Sequence, residues 1–262
     1  MTNSMDQKVV LVTGGARGMG AAQARRLAAD GAHVCVTDIL MEEAEKLVKA
    51  IASDGGSASH HELDVSNSEA WAVLLSEIER AFGRLDGLVN NAGIPMRASL
   101  MDLSDDDWRR VMSVNLDGVF YGVRAAAPLM RESGGGSIVN ISSIAGQLGY
   151  HATGYAASKW GVTGLTKSAA IALAPWKIRV NSVHPGLVGT VLMEQAEPAF
   201  IEATVRATPL GRAGESDEVA SSVAFLLSDD AKYLTGSEIT VDGGLASCGA
   251  YWQILERRAE LG

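Results

Sequence analysis

The fold is decided by a stretch near the start of the chain, VVLVTGGARGMG, residues 9–20. Its first half is apolar and β-branched, as in a buried strand, and its second half is a turn rich in glycine. Such a turn lets backbone N–H groups approach a pyrophosphate closely, and the helix that follows adds the positive end of its dipole. The order of strand, glycine-rich turn and helix predicts a dinucleotide-binding unit, although the spacing Gly14-x3-Gly18-x-Gly20 differs from the G-x-G-x-x-G fingerprint.

The rest of the chain alternates short apolar runs with longer amphipathic segments. Valine- and isoleucine-rich strands that are separated by helices indicate a parallel sheet covered on both faces. We therefore predict an α/β fold, a single Rossmann-type domain over residues 1–262 with a doubly wound parallel sheet of about seven strands. Strands are predicted at 8–13, 33–38, 59–65, 86–90, 137–142, 178–183 and 237–241, and helices at 19–30, 41–53, 68–82, 105–132, 155–174 and 216–228.

The composition limits the partners of the protein. Acidic residues outnumber basic ones by 31 to 22, and the formal net charge is −9. A binder of nucleic acid or of an anionic membrane surface needs a basic patch, so we expect neither partner. No apolar run approaches the roughly 18 residues of a membrane span, and two cysteines do not form a disulfide framework. These features predict a cytoplasmic protein that acts on a small molecule.

Two segments lie outside the alternating pattern. Residues 185–214 form the longest stretch without regular periodicity, and they carry apolar side chains such as Leu187 and Leu192. Long loops in compact domains are usually lids or binding loops, so we predict a substrate loop here. Residues 245–262 form a C-terminal extension, which we expect to dock on a neighbouring subunit or across the mouth of the active site.

An acidic residue at the end of the second strand bears on the choice of cofactor. Asp38 stands 18 residues after Gly20, where a carboxylate hydrogen-bonds the ribose hydroxyls of NAD and repels the 2′-phosphate of NADP. Asp38 also suits the N-cap of the following helix. Arg17 in the glycine-rich turn favours a 2′-phosphate instead. The sequence therefore predicts NAD, with NADP as the alternative.

A tyrosine, a lysine and two serines carry the predicted chemistry. Tyr155 and Lys159 are four residues apart, on one face of the predicted helix. Tyrosine alone, with a pKa of about 10, is a poor base at neutral pH, whereas a nearby ammonium favours the phenolate. Such a pair can exchange a proton with an alcohol or ketone oxygen. Ser142 and Ser143 end the fifth strand at the ligand-binding edge of the sheet, where one of them can donate a hydrogen bond to that oxygen.

Further motifs complete this set and identify a resemblance. The residues that carry it are Thr13-Gly14-x3-Gly18-x-Gly20, Asn90-Asn91-Ala92-Gly93, Asn115, Ser143, Tyr155-x3-Lys159, His184-Pro185-Gly186 and Val241-Asp242-Gly243-Gly244. Together they resemble the short-chain dehydrogenase/reductase family over residues 8–244, nearly the whole chain. Between the motifs the chain is most similar to the NAD-dependent 3α/20β-hydroxysteroid dehydrogenases and to bacterial secondary-alcohol dehydrogenases of that family.

The resemblance implies roles for the matching positions. Tyr155 is expected to be the general acid/base and Ser143 to hold the substrate oxygen. Lys159 is expected to bind the nicotinamide ribose and to lower the pKa of Tyr155, while Asn115 positions a water of a proton relay. The residues expected to contact NAD are Gly14, Arg17, Gly18, Met19, Gly20, Asp38, Asp64, Val65, Asn91, Ala92, Gly93, Tyr155, Lys159, Pro185, Gly186, Val188 and Thr190. Those expected to contact the substrate are Ser143, Tyr155, Met96, Gln147, Leu187 and Leu192. No metal is expected, and the family's common assembly predicts a homotetramer.

One spacing departs from the family's pattern. Its serine usually stands 13 residues before the tyrosine, a count that gives Ser142, whereas Ser143 stands 12 before. We prefer Ser143 because it lies three residues before Gly146, as in the family's Ser-x-x-Gly turn. The missing residue then falls in the loop between Gln147 and Gly154, beside the substrate.

These residues favour one function over two alternatives. The favoured function is an NAD-dependent dehydrogenase that interconverts a secondary alcohol and a ketone, with a bulky apolar substrate of hydroxysteroid or aryl/alkyl type. The first alternative is an NADPH-dependent ketoreductase of 3-oxoacyl thioesters, which the acidic residue after the second strand disfavours. The second is a non-catalytic module that only binds the dinucleotide.

Overall fold

The computed structural model describes residues 5–190 and 196–261, and its strands build one parallel sheet. The strands are β1 Val9–Thr13, β2 His33–Asp38, β3 Ser57–Glu62, β4 Gly87–Asn90, β5 Gly136–Ile141, β6 Ile178–Pro185 and β7 Glu238–Val241. Within the described residues they form a seven-stranded sheet in the order β3-β2-β1-β4-β5-β6-β7, with every pair parallel. The predicted doubly wound parallel sheet is therefore confirmed.

Helices cover both faces of this sheet. They are α1 Gly18–Ala29, α2 Met41–Ser53, α3 Ser68–Phe82, α4 Asp105–Met112, α5 Gly118–Glu132, α6 Thr153–Leu173, α7 Pro198–Ala207, α8 Ser216–Leu227 and α9 Leu245–Leu261. Successive side chains of β1 point to opposite faces, so Val10 and Val12 enter one core while Leu11 enters the other. The first core packs α1, α2 and α8, and the second packs α3, α5 and α6 around the fully buried Trp71. Among the helices of the described residues, none is long and apolar enough to cross a membrane.

The strand order reverses between β1 and β4, and this point positions the site. Because both strands end at the same edge, a crevice opens between the turns that follow them. Thr13, the last residue of β1, fixes the distance between the turns, since its Oγ1 accepts hydrogen bonds from the backbone N–H groups of Asn91 (3.0 Å) and Ala92 (3.1 Å).

Several predicted boundaries differ from the structure, and the predicted helix 105–132 is interrupted by a π-helical turn at Ser113–Asp117. Strand β3 spans Ser57–Glu62 rather than 59–65, because this polar edge strand pairs with β2 only as far as Glu62. The apolar Leu63 and Val65 that suggested a later end lie in the following turn, buried in the second core. The segment expected to be irregular, 185–214, contains helix α7, and the C-terminal extension is helix α9, packed against α7.

Candidate active site

The glycine-rich turn closes tightly against the turn after β4. Gly14 and Gly18 have φ angles of +58° and +56°, in the left-handed region that favours glycine. A Cβ atom at Gly20 would lie 2.1 Å from the carbonyl oxygen of Gly14. The turn therefore needs these glycines to bring its backbone to the start of α1. Its backbone N–H groups and the helix N-terminus suit a pyrophosphate.

Asp38 holds the glycine-rich turn from the adjacent strand. Its side chain is only 9% exposed, Oδ2 accepts a hydrogen bond from the N–H of Ala16 (3.0 Å), and Oδ1 accepts one from the N–H of Leu40 (3.1 Å). The N-cap of α2 is Leu40, so Asp38 supports the start of that helix from outside it. Each carboxylate oxygen has a further lone pair with which to accept a ribose hydroxyl.

A cleft of about 250 Å3 runs along these turns. Twelve of the seventeen residues expected to contact NAD line it; Tyr155, Lys159, Pro185, Gly186 and Val188 do not. Thr190 reaches the cleft from the other side, with its Cγ2 3.7 Å from where a Cβ of Gly18 would stand. The predicted residues that line the cleft are Gly14, Arg17, Gly18, Met19, Gly20, Asp38, Asp64, Val65, Asn91, Ala92, Gly93 and Thr190.

Sequence reasoning missed five apolar residues that also line this cleft. Four of them are immediate chain neighbours of a predicted residue and the fifth, Leu40, lies two residues after Asp38, so closeness in the chain to predicted residues was the available signal. Their apolar side chains suit the flat face of an adenine ring. They are Ile39, Leu40, Leu63, Ile94 and Val114.

The amide of Asn91 is used within the protein. Its Nδ2 donates to the carbonyl oxygens of Thr13 and Gly14, both at 3.0 Å, and its Oδ1 accepts from Nε2 of Gln23 (3.3 Å). Asn91 therefore ties the turn after β4 to the glycine-rich turn. Its Nδ2 is thus engaged within the protein, while Oδ1 keeps one lone pair toward the cleft that Asn91 lines.

The two serines at the end of β5 have different surroundings. Ser142 is buried, and its hydroxyl donates to the carbonyl oxygen of Lys159 (3.0 Å). Ser143 is half-buried, its Oγ accepts from the N–H of Ala145 (3.1 Å), and its side chain faces that of Tyr155. Neighbouring residues of an extended chain point in opposite directions, which is why only Ser143 meets the tyrosine.

Tyr155 and Lys159 lie together in the first turns of α6. The Lys159 ammonium is 5.6 Å from the ring centroid of Tyr155 and donates to the carbonyl oxygen of Ile141 (2.9 Å). Burial raises the pKa of Tyr155, while the hydrogen bond from Ser143 acts in the opposite direction. Burial also lowers the pKa of Lys159 to about 8. The net direction of the Tyr155 pKa is thus upward because desolvation of the phenol dominates, and its lowering by Lys159 stays a prediction.

Asn115 joins the cleft to the catalytic helix. It is fully buried in a π-helical turn, Ser113–Asp117, between α4 and α5. Its Oδ1 accepts from the N–H of Ile94 (2.8 Å), and its Nδ2 donates to the carbonyl of Ile94 (3.0 Å) and to Oγ of Ser158 (3.2 Å). A Cβ at Gly93 would stand 3.3 Å from Oδ1 of Asn115 and 3.6 Å from Nζ of Lys159. Gly93 at the edge of the cleft is therefore close to the lysine, although Lys159 itself does not line the cleft.

The residues predicted to contact substrate are only partly brought together. Ser143 and Tyr155 meet, whereas the amide of Gln147 is engaged by β7, donating to Oε2 of Glu238 (3.0 Å) and accepting from Thr240 (3.1 Å). Met96 and Leu187 are half-buried in the turns after β4 and β6. Leu192 lies outside the described residues.

An aromatic series missed by sequence reasoning leads from Tyr155 to helix α7. The ring of Tyr150 lies 6.3 Å from that of Tyr155 and 5.0 Å from that of His151. The ring of His151 is in turn 6.4 Å from that of Phe200 on α7. These rings come from the shortened loop and from the predicted substrate loop, and with interplanar angles of 48° to 58° they form a tilted aromatic surface on one side of the site.

The segment after β6 passes from the sheet to the cleft. Gly186 donates to the carbonyl oxygen of Val241, and Val188 pairs with Gly214. The backbone of Pro185, Gly186 and Val188 is thus anchored before the chain reaches Thr190. Within residues 5–190 and 196–261, no group of three or more histidine, cysteine or acidic side chains is arranged to hold a metal ion.

Known proteins are similar to this chain over most of its length. Residues 14–246 match a protein-family model of the short-chain dehydrogenase type, described as enoyl-(acyl carrier protein) reductase. A 3-alpha-(or 20-beta)-hydroxysteroid dehydrogenase of Mycobacterium tuberculosis is 46% identical over 246 residues, covering 93% of this chain and 91% of that protein. A trans-4-hydroxycyclohexanecarboxylate dehydrogenase of Sinomonas cyclohexanicum is 42% identical over 251 residues, covering 93% and 95%. A solved structure from Agrobacterium tumefaciens, proposed to be a gluconate dehydrogenase, is 30% identical with a TM-score of 0.91, covering 94% and 99%.

Proposed function

The chain belongs to the short-chain dehydrogenase/reductase family, and from this premise we propose that it interconverts a secondary alcohol and a ketone with NAD(H). The observation that carries the proposal is that the side chains of Ser143 and Tyr155 face each other, with the Lys159 ammonium 5.6 Å from the tyrosine ring. A hydroxyl donor, an acid/base and a cation at one end of a dinucleotide cleft are the groups that this reaction needs.

The cofactor is proposed to be NAD. Its pyrophosphate would lie on the glycine-rich turn and its adenosine ribose on Asp38, whose carboxylate faces the cleft and opposes a 2′-phosphate. Arg17 lines the same cleft, but it is exposed and at the N-cap of α1, whereas Asp38 is buried. A fixed buried charge acts more strongly on a ligand than an exposed one that solvent screens.

In the oxidative direction, Tyr155 accepts the proton of the alcohol. Ser143 donates a hydrogen bond to the same oxygen and holds it beside the phenolate. The Lys159 ammonium stabilises the phenolate by its charge, and its carbonyl partner Ile141 keeps it in place. When bound, NAD would supply the acceptor for the hydride that leaves the carbinol carbon. Asn115 is proposed to hold the water through which Lys159 exchanges its proton with solvent.

The substrate is proposed to be a bulky apolar ring compound. The rings of Tyr150, His151 and Phe200 form a tilted aromatic surface near Tyr155, against which a cyclic alcohol can pack. The names of the two relatives, a hydroxysteroid and a hydroxycyclohexanecarboxylate dehydrogenase, agree with a cyclic substrate.

One alternative has a specific observation in its favour. The description of the matching family names a reductase of acyl carrier protein substrates, which keeps an NADPH-dependent ketoreductase of acyl thioesters in consideration. Asp38 in the cleft opposes NADPH, so the cofactor preference separates the two functions.

A homotetramer is proposed as the assembly. Large apolar side chains are exposed on α5 and α6, namely Phe120, Trp160 and Ile171, of which the last is 80% exposed. Exposed apolar clusters of this kind are typical of subunit interfaces.

The proposed chemistry is tested by Tyr155→Phe, with Tyr233→Phe as a matched control on the surface. The phenylalanine ring keeps the packing but carries no proton, so kcat should fall by about 100-fold or more. The fluorescence-titrated Kd for NADH should stay within about threefold, and Tyr233→Phe should change neither quantity. Retention of most of the wild-type kcat in Tyr155→Phe would remove this mechanism.

A further inference from the structure

A buried histidine lies behind the proposed catalytic serine. His184, near the end of β6, has no exposed surface. Its Nδ1 is 3.0 Å from the carbonyl oxygen of Ser143, and its Nε2 is 2.8 Å from Oγ of Ser182. A carbonyl oxygen only accepts hydrogen bonds, so Nδ1 carries the proton and donates it. Nε2 is then the acceptor, and the Ser182 hydroxyl donates to it.

The charges around His184 come from two neighbouring elements. From β7, Oε2 of Glu238 is 3.9 Å from Nε2, and this carboxylate is paired with Lys167 of α6 at 2.7 Å. Lys159 of α6 also faces the ring. Burial lowers the pKa of His184, and the two lysines act in the same direction, against Ser143 and Glu238. The ring is therefore neutral at pH 7, and its tautomer matters.

The contact acts on the backbone of Ser143. Its carbonyl oxygen also accepts from the N–H of Gly146 (2.9 Å), while its Oγ accepts from the N–H of Ala145 (3.1 Å). The end of the turn is held by α6, since Oγ1 of Thr163 donates to the carbonyl oxygen of Gly146 (3.3 Å). At Ser143 itself, the His184 bond supplies the side-chain contact from β6. Small displacements of reacting groups slow a reaction strongly, since a displacement of about 1 Å can lower the rate roughly 100-fold.

We propose that His184 is a positioning residue for the proton transfer, whose Nδ1–H fixes the Ser143 turn while the Ser182 hydroxyl fixes the tautomer. This rests on the proposed function only in so far as Ser143 binds the reacting oxygen. His184 lies behind Ser143 and acts through its carbonyl oxygen.

The test is a double-mutant cycle between positions 184 and 143, read on an alcohol that the wild type oxidises. His184→Leu removes the donor and should lower kcat about tenfold, with the Kd for NADH within about twofold. His184→Asn keeps an N–H donor near the carbonyl and should restore kcat to within about threefold of the wild type. When His184→Leu is added to Ser143→Ala, it should lower kcat by less than about twofold. Equal losses in both backgrounds, or no loss from His184→Leu, would overturn the proposal.

Ser182→Ala tests the same proposal if His184→Leu does not fold. This variant should lower kcat by about threefold, because Nε2 of His184 loses its hydrogen-bond donor and the tautomer protonated at Nε2 becomes populated. The matched control is Ser137→Ala on β5, a serine that is equally buried and donates to the carbonyl oxygen of Leu226. It should lower stability without changing kcat. The same kcat loss in both serine variants would count against a positioning role.

An activity-independent measurement separates this proposal from the proposed function. The 15N chemical shifts of the His184 ring should report a neutral imidazole protonated at Nδ1. A ring protonated at Nε2 would overturn the proposal even in an active enzyme. A wild type that oxidises no secondary alcohol but shows the Nδ1–H tautomer would instead contradict the proposed function alone.

Discussion

Replacing Lys159 by methionine removes a buried ammonium from the centre of the proposed site. The side chain is 4% exposed, and burial lowers its pKa from the ordinary 10.5 to about 8. The unfolded chain therefore binds this proton more tightly than the folded one, and below pH 8 both states carry it. At pH 7 the charge costs the native state about 3 kcal/mol, whereas at pH 10 about 1 kcal/mol of that cost is left.

The sign of the effect follows from this difference. The free energy of unfolding of the wild type increases as the pH rises from about 8 to 10.5, because the folded protein then loses the buried charge of Lys159. The variant lacks this charge, so its free energy of unfolding has no such increase. The stability of Lys159→Met relative to the wild type should therefore decrease by about 2 kcal/mol between pH 7 and pH 10. Loss of the bond to the Ile141 carbonyl and changes in packing are the same at both pH values, so they cancel in this comparison.

The assay is urea unfolding of the wild type and the variant at pH 7 and pH 10. Lys46→Met is the matched control, because this lysine lies on the exposed face of α2 and its ammonium stays hydrated in the folded protein. Its stability difference from the wild type should be the same at both pH values. The reasoning is refuted if the stability difference of Lys159→Met also stays constant with pH.

Three further predictions concern the cleft, the glycine-rich turn and the pair of helices α7 and α9. Asp38→Ala removes the acceptor of two backbone N–H groups and should raise the Kd of NADH by about 10-fold to 100-fold in a fluorescence titration; an unchanged Kd would contradict its role. Gly20→Ala places a Cβ 2.1 Å from a carbonyl oxygen and should lower stability by about 1–3 kcal/mol, while Gly149→Ala, with open space around it, should not; equal melting temperatures would contradict the packing argument. Trp252→Phe removes the N–H that bonds the Arg206 carbonyl (3.0 Å) and should speed amide exchange in α7 about threefold to tenfold; unchanged exchange would show that α9 does not hold this helix.

The fold follows from the sequence because periodicity and turn chemistry agree along most of the chain. Buried strands such as β1 are apolar throughout, and the glycines that follow it are required by close contacts. The exception is β3, a polar edge strand whose boundaries are set by pairing with β2 rather than by its own side chains. Helix α7 was missed for a similar reason, since one residue of it, Ala207, is buried and its pattern is set by packing against α9.

In the candidate site, too, some features could be predicted from the local sequence, whereas others depend on contacts between distant parts of the chain. The closeness of Ser143 and Tyr155 is predictable, because a strand end and a helix start meet at one edge of the sheet. The hydrogen bonds of Gln147 with β7 are not predictable, because Glu238 and Thr240 lie about 90 residues away in the chain. The net direction of the Tyr155 pKa is equally a tertiary property, because it depends on how deeply the phenol is buried.

The central claim is that this cleft uses NAD to oxidise a cyclic secondary alcohol. The most direct test measures initial rates of NADH and NADPH formation by the wild-type protein with cyclohexanol, a 3α-hydroxysteroid and a 3-hydroxyacyl thioester. The account predicts that kcat/KM with NAD exceeds that with NADP by about tenfold or more, and that a cyclic alcohol is the best substrate. A preference for NADP together with turnover of the thioester alone would contradict it.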